Sequence, residues 1–88
     1  DKMWLLSDRT WTIGKGADIP VGGWFTGSRL AEVEWTGKYH KILKKGMSSV
    51  LISREAESIS VDKTGIELKD QDKITIGNTD FTYVMKQV

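Results

Sequence analysis

Asp70 and Asp72 lie two residues apart in the segment Leu68-Lys69-Asp70-Gln71-Asp72. Carboxylates paired at close spacing are a pattern for general acid–base work, in which one group gives a proton and another takes it. Neither has a histidine near it, because the chain holds a single histidine, His40. His40 falls in an alternating segment and reads as a half-exposed sheet residue, and one histidine leaves no site with two imidazole ligands. Cysteine is absent, which removes disulfides, thiolate metal sites and thiol nucleophiles together. No recognisable nucleophile–base pair remains, so the sequence argues against an enzyme. It implies no metal and no cofactor. Gly14, Gly16, Gly22, Gly23 and Gly27 do not fall into a dinucleotide-binding or Walker pattern.

Two further groups of residues bear on binding. Lys38, Lys41, Lys44 and Lys45 form a basic run. It offers a stripe for acidic peptides, nucleic acid or lipid headgroups. The favoured reading is solvated charge, with Lys44-Lys45 flanking a turn and discouraging edge-to-edge strand pairing. Trp24-Phe25 sits between Gly22-Gly23 and Gly27. This aromatic pair suits either a protein contact or a plug for the end of the fold.

These residues need a scaffold, and the chain supplies one made of short strands. Its 88 residues are enough for one domain spanning 1–88. Thirteen Lys and Arg against twelve Asp and Glu give a formal charge of +1, which argues against a nucleic-acid partner. No apolar run approaches the ~18–20 residues of a membrane-spanning helix, so no membrane insertion by this domain is expected. The polar, mixed-charge start has no secretory pattern. The missing cysteines fit a reducing compartment, and the chain reads as an intracellular domain cut from a longer protein.

β-branched and aromatic runs punctuated by Gly and Asp predict strands near 3–6, 10–13, 17–21, 24–26, 31–35, 39–43, 49–52, 57–61, 66–68, 73–76 and 81–85. Asp18 and Pro20 place the 17–21 piece at a sheet edge or in a loop. In the 31–35 strand, Ala31, Val33 and Trp35 share one face and the two glutamates the other. Trp4, Trp11 and Trp35 read as core or sheet-face residues. The only helical candidate, 54–58, is too short to stand alone. About nine to eleven short strands predict an all-β fold, an antiparallel β-sandwich in preference to a small barrel.

Three pieces then occur in a fixed order. They are Thr12-Ile13-Gly14-Lys15-Gly16-Ala17-Asp18-Ile19-Pro20-Val21, then Gly27-Ser28-Arg29-Leu30-Ala31-Glu32-Val33, then Leu68-Lys69-Asp70-Gln71-Asp72-Lys73-Ile74-Thr75-Ile76-Gly77 followed by Phe81-Thr82-Tyr83-Val84. In this order the chain resembles the forkhead-associated (FHA) domain. That family shows Ile-Gly-Arg, Ser-Arg-x-His-Ala, an Asn-Gly loop, and Leu-x-Asp-Gly-Asp-x-Ile-x-Ile-Gly. The resemblance covers nearly the whole chain and implies an antiparallel β-sandwich.

It also implies a non-catalytic module that binds phosphothreonine peptides through loops at one end of the sandwich. Lys15 stands at the family's arginine, keeping the charge without the planar fork. Ser28 and Arg29 match the Ser-Arg dipeptide and would give the phosphate a hydroxyl and a guanidinium. With Ala31 aligned to the family's alanine, however, this segment is one residue short and Leu30 takes the histidine position. The Asn-Gly loop corresponds to 46–50, where Ser48 and Ser49 are the hydroxyl candidates for peptide contact. The only asparagine is Asn78. Asp70 and Asp72 fall in a turn that is structural in this family.

The departures keep a second reading open. It is a diverged scaffold with phospho-independent protein binding, in a DNA-repair or a bacterial secretion assembly, with Trp24-Phe25 as a contact. The opening Met3-Trp4-Leu5-Leu6 together with Ile13-Gly14-Lys15 resembles the start of a family member in a double-strand-break repair complex, which would imply the nucleus. Diverged members at the cytosolic face of secretion machines would imply the bacterial cytoplasm. A third reading, an acidic-ligand or nucleic-acid binder, would use the lysines at 38–45 with Tyr39.

Overall fold

A computed structural model of the chain describes residues 6, 9–21, 29–77 and 79–85. Among these residues there is no helix, and nine strands follow one another: β1 (Trp11–Gly14), β2 (Ile19–Pro20), β3 (Ala31–Trp35), β4 (His40–Lys44), β5 (Val50–Arg54), β6 (Glu57–Ser60), β7 (Ile66–Glu67), β8 (Asp72–Ile76) and β9 (Thr79–Tyr83). They form a five-stranded sheet in the order β2-β1-β3-β4-β7 and a four-stranded sheet in the order β6-β5-β8-β9. Every pairing is antiparallel except β1 with β2. The architecture is all-β and sandwich-like.

Side-chain alternation explains the layering. Val33 and Ala31 of β3, Ile42 of β4, Val50 and Ile52 of β5, and Ile74 and Ile76 of β8 are buried in one cluster fed by both sheets. Their strand neighbours Glu32, Glu34, Leu51, Ser53, Lys73 and Thr75 point the other way. Trp35 keeps the same face as Val33 but is 39% exposed. Its partner across the ladder is His40, and its ring lies 5.0 Å from that imidazole rather than in the core. Trp11 packs against the core, under the Arg9 guanidinium at 3.8 Å.

Three local elements differ from the sequence reading. The 17–21 piece contributes only Ile19–Pro20, and it pairs parallel to β1. Asp18 makes this short return possible. Its carboxylate accepts from Thr12 N and Thr12 Oγ1 at 3.1 and 3.2 Å, while Asp18 N donates back to Thr12 Oγ1. The 54–58 segment is a hairpin, with Arg54 opposite Glu57. Glu55 and Ala56 between them have φ of 50° and 68°, the left-handed pair that a two-residue turn needs to match strand twist. Lys44 is not on an open edge. It lies in β4, between β3 and β7, and its N–H bonds Asp62 O. The strand expected at 24–26, residues 3–5 of the first one, and the plug or contact role of Trp24-Phe25 lie outside the described residues; Leu6 packs against the core.

Two of the passages between the sheets, at opposite ends of β7, are pinned by aspartates. From β6 to β7, Asp62 Oδ1 accepts from Thr64 Oγ1, Thr64 N and Gly65 N, bonds that hold its carboxyl below the usual aspartate value. Gly65 has φ +92°, and a Cβ there would meet Ile42 O at 2.9 Å and Leu43 Cγ at 2.9 Å. From β7 to β8, Asp72 enters the core at 1% exposure, the one buried charged residue among those described. Arg54 Nε and Nη2 donate to its two oxygens at 2.8 and 2.6 Å, and Lys69 N adds a third bond at 2.8 Å. Burial pushes the Asp72 carboxyl up, but Arg54 and the Lys69 N–H outweigh it, and the group stays below its ordinary value.

Two stability predictions follow from these passages. Arg54→Met leaves a buried carboxylate without its cation and should cost about 3–5 kcal/mol. Asp72→Asn leaves a guanidinium with 23% exposure that can turn to water, and should cost less, about 1–3 kcal/mol. Urea denaturation ranks the two; a reversed order defeats this account. Because the folded value of Asp72 is depressed, its contribution is complete above the unfolded value of about 3.9 and is lost as pH falls through the folded value. Asp72→Asn should therefore flatten the acid limb of the stability curve. The second prediction concerns backbone strain. Gly65→Ala should destabilise by roughly 1–3 kcal/mol, whereas Glu55→Asn with Ala56→Gly should stabilise by about 1 kcal/mol. Thermal melts read both.

Candidate functional site

The sheet ladders decide which loops meet. β1 runs antiparallel to β3, and β3 to β4, so the end of β1, the start of β3 and the end of β4 lie together. Lys15 follows β1, Arg29 precedes β3, and the 45–49 loop follows β4. Backbone bonds lock the three segments. Leu30 N donates to Ile13 O at 2.8 Å, and Lys45 N and Gly46 N both donate to Leu30 O at 3.0 and 3.1 Å. Four of the five residues expected to bind phosphopeptide (Lys15, Arg29, Ser48 and Ser49) are thus on loops at one end of the sandwich. The fifth, Ser28, lies outside the described residues, as do Trp24 and Phe25.

The cations of this end differ in their engagement. Lys15 is exposed and has no ion pair or side-chain hydrogen bond among the described residues. Arg29 has a side chain 63% exposed, with Nε 3.4 Å from Glu32 Oε2. Lys45 Nζ lies 3.9 Å from Glu32 Oε1. Glu32 therefore stands between two cations, at distances beyond the ~2.7–2.9 Å of a tight charge-assisted bond. Long pairs of this kind, with solvent-facing cations against a half-buried Glu32, contribute about 0–1 kcal/mol each and leave the cations open to a stronger anion. Ser48 is half-buried and Ser49 exposed. Neither hydroxyl has a hydrogen-bond partner among the described residues.

Three participants were not singled out from the sequence. Glu32 read as an outward strand residue, and only the fold shows that it faces Arg29 and Lys45. Met47, in the 45–49 loop, is 97% exposed. Gly46 is needed for close approach, since a Cβ there would meet Arg29 O at 3.0 Å and Leu30 Cα at 3.2 Å. The glycine-plus-lysine turn signal at 44–46 marked the loop but not its neighbour.

The opposite end is built differently. An open depression there is lined by Ser53, Arg54, Glu55, Lys69, Asp70 and Gln71, with Asp72 at its floor. Its central charges are spent on each other, as Arg54 and Asp72 are paired. Gln71 stands at φ +71°, at the position of the FHA-like motif's glycine, and its N–H bonds Tyr83 O. Asp70 Oδ1 accepts from Met85 N at 2.7 Å. Both acidic residues of this turn hold backbone together, which is the structural role given to them above. Beside it, His40 Nδ1 and Tyr83 Oη are 2.8 Å apart, a link from β4 in one sheet to β9 in the other. Burial pushes the Tyr83 phenol up, with Asp70 and Asp72 adding to the effect.

Among the described residues no group of three or more His, Cys, Asp or Glu could hold a metal ion, and no helix is long and apolar enough to cross a membrane. Comparison of the chain with protein-family models, curated proteins and solved structures returns no match.

The close approach at Gly46 gives a prediction. Gly46→Ala should push the 45–49 loop away from Arg29 and cost about 1–3 kcal/mol. The largest amide shifts in a heteronuclear spectrum should fall at Arg29, Leu30 and Lys45. Shifts confined to the 45–49 loop would show that the loops are not coupled.

Proposed function

We propose that this chain is a diverged member of the FHA fold and acts as a non-catalytic module for phosphothreonine-containing peptides. The observation that carries the reading is the gathering of Lys15, Arg29 and the 45–49 loop at one end through the bonds to Ile13 O and Leu30 O. A phosphate monoester has a charge of about −1.5 to −2 and several strong acceptor oxygens. It calls for fixed cations and donors on loops of a rigid scaffold. Arg29 and Lys45, held loosely by Glu32, and Lys15, which has no ion pair among the described residues, meet that need, with Ser28 as a further donor in the family pattern. Ser48 and Ser49 lie in the loop that corresponds to the peptide-holding loop of the family pattern, and are the hydroxyl candidates for peptide contact. In this reading the module works inside the cell, on a phosphorylated protein partner.

A specific observation favours a second reading. Met47 is 97% exposed at the same end, and an apolar side chain so placed suits a phospho-independent protein contact within a repair or secretion assembly.

One titration separates the readings. The chain is titrated with a degenerate phosphothreonine peptide library and with its unphosphorylated twin. Phosphate-selective binding that Arg29→Ala weakens about tenfold or more, the size expected for lost charge-assisted bonds, supports the first. Equal binding of both libraries, lost in Met47→Glu, overturns the first and supports the second.

A further inference from the structure

We propose that the Ser48–Ser49 hydroxyl pair is a phosphorylation site, and that a phosphate placed there takes up Arg29 and Lys45 and closes this end of the sandwich to an external phosphopeptide. The closing step rests on the function proposed above; the modification does not.

The local sequence is Lys44-Lys45-Gly46-Met47-Ser48-Ser49. It puts two lysines three and four positions ahead of Ser48. Protein kinases with an acidic substrate groove select acceptors of this kind by charge complementarity. The fold presents the segment on a loop. Met47 is 97% exposed, Ser49 is exposed, and neither serine hydroxyl is engaged by a described residue. Among the described residues, the loop beyond Gly46 is held by one long backbone bond, Gly77 N to Ser49 O at 3.4 Å. Few such bonds mean that local opening into an extended substrate costs little.

The transfer is an ordinary kinase step with a nucleoside triphosphate as donor. The serine Oγ forms a bond to the γ-phosphorus, the bond from that phosphorus to the bridging oxygen breaks, the hydroxyl proton passes to the kinase's base, and the nucleoside diphosphate leaves. The product carries about −1.5 to −2 charge and strong acceptor oxygens, on the loop whose Lys45 and Gly46 amides are bonded to Leu30 O beside Arg29. Arg29 and Lys45 are held by Glu32 at only 3.4 and 3.9 Å, so a dianion competes well for both. Its covalent tether gives an effective concentration on the order of millimolar.

The whole chain is treated with the catalytic subunit of cyclic-AMP-dependent protein kinase and magnesium ATP. Mass spectrometry should find a phosphate on Ser48 or Ser49, absent from a Ser48→Ala/Ser49→Ala variant. No incorporation, or incorporation only elsewhere, overturns the site. Phosphorus NMR of the modified chain should titrate at lower pH than the same phosphoserine in a free peptide, because neighbouring cations favour the dianion. Arg29→Gln should move the midpoint back up, and an unshifted midpoint overturns the pairing. Finally, the modified chain should bind the phosphothreonine library about tenfold or more weakly than the unmodified chain, while kinase treatment leaves the double variant at its own untreated affinity. Equal affinity of modified and unmodified chain overturns the closure. Failure of the unmodified chain to bind at all overturns the proposed function and the closure with it, and the first two readouts still decide the site and the pairing.

Discussion

The fold hangs on a buried ion pair. Asp72 lies in the core at 1% exposure, and a lone carboxylate there would be untenable. Arg54 meets both of its oxygens from the neighbouring strand, and the same guanidinium donates to Glu67 O at 3.0 Å. Arg54 and Asp72 belong to the four-stranded sheet, Glu67 to the five-stranded one. One side chain thus satisfies a buried anion and joins the two layers where the chain crosses between them. Such a pair adds little net stability compared with an apolar replacement, but it punishes any arrangement in which the partners do not meet. It fixes the register of β5 on β8 and the course of the 68–72 turn together.

That constraint divides the molecule into a clasped end and an open end. At the clasped end the Arg54–Asp72 pair is joined by the His40–Tyr83 contact between sheets and by Asp70 holding Met85 N. Three non-glycine residues there, Glu55, Ala56 and Gln71, accept left-handed backbone, a cost that persists only where the surroundings impose it. At the open end the loops are tied to one another by main-chain bonds. Their charged tips stay in water, their ion pairs are long, and the Ser48 and Ser49 hydroxyls have no partner among the described residues. Under the proposed function, a rigid frame with loosely committed polar groups at one end would bear the ordering cost before a ligand arrives.

Much of the frame was legible in the chain itself. Period-2 alternation marked Ala31–Trp35 with its bounds unchanged and most other strands to within a residue or two, because alternation reports directly which face is buried. The parallel β1–β2 pairing was not legible. It depends on the Asp18 carboxylate bonding Thr12, a side-chain bond that substitutes for hydrophobic pattern. The hairpin at Glu55-Ala56 was hidden for the opposite reason: neither residue type favours left-handed backbone, and the turn is imposed by β5 and β6 pairing across it. Trp35 shared a face with Val33 as its spacing demanded, but spacing does not say where a sheet outruns its partner.

The sequence by itself determined the class of fold and the residue types available for recognition. With one histidine, no cysteine and a near balance of charge, it argued for binding over catalysis before any contact was known. Only the tertiary structure decided who meets whom. Arg29 and Lys45 are sixteen positions apart in the chain yet face the same Glu32 carboxylate, because β3 and β4 pair antiparallel and return the chain to where it started. Asp72 was one of two similar aspartates in a polar turn, and burial against Arg54 made it the one that matters. Local pattern records what each residue prefers, whereas electrostatic pairing depends on distances that only the closed sheets set.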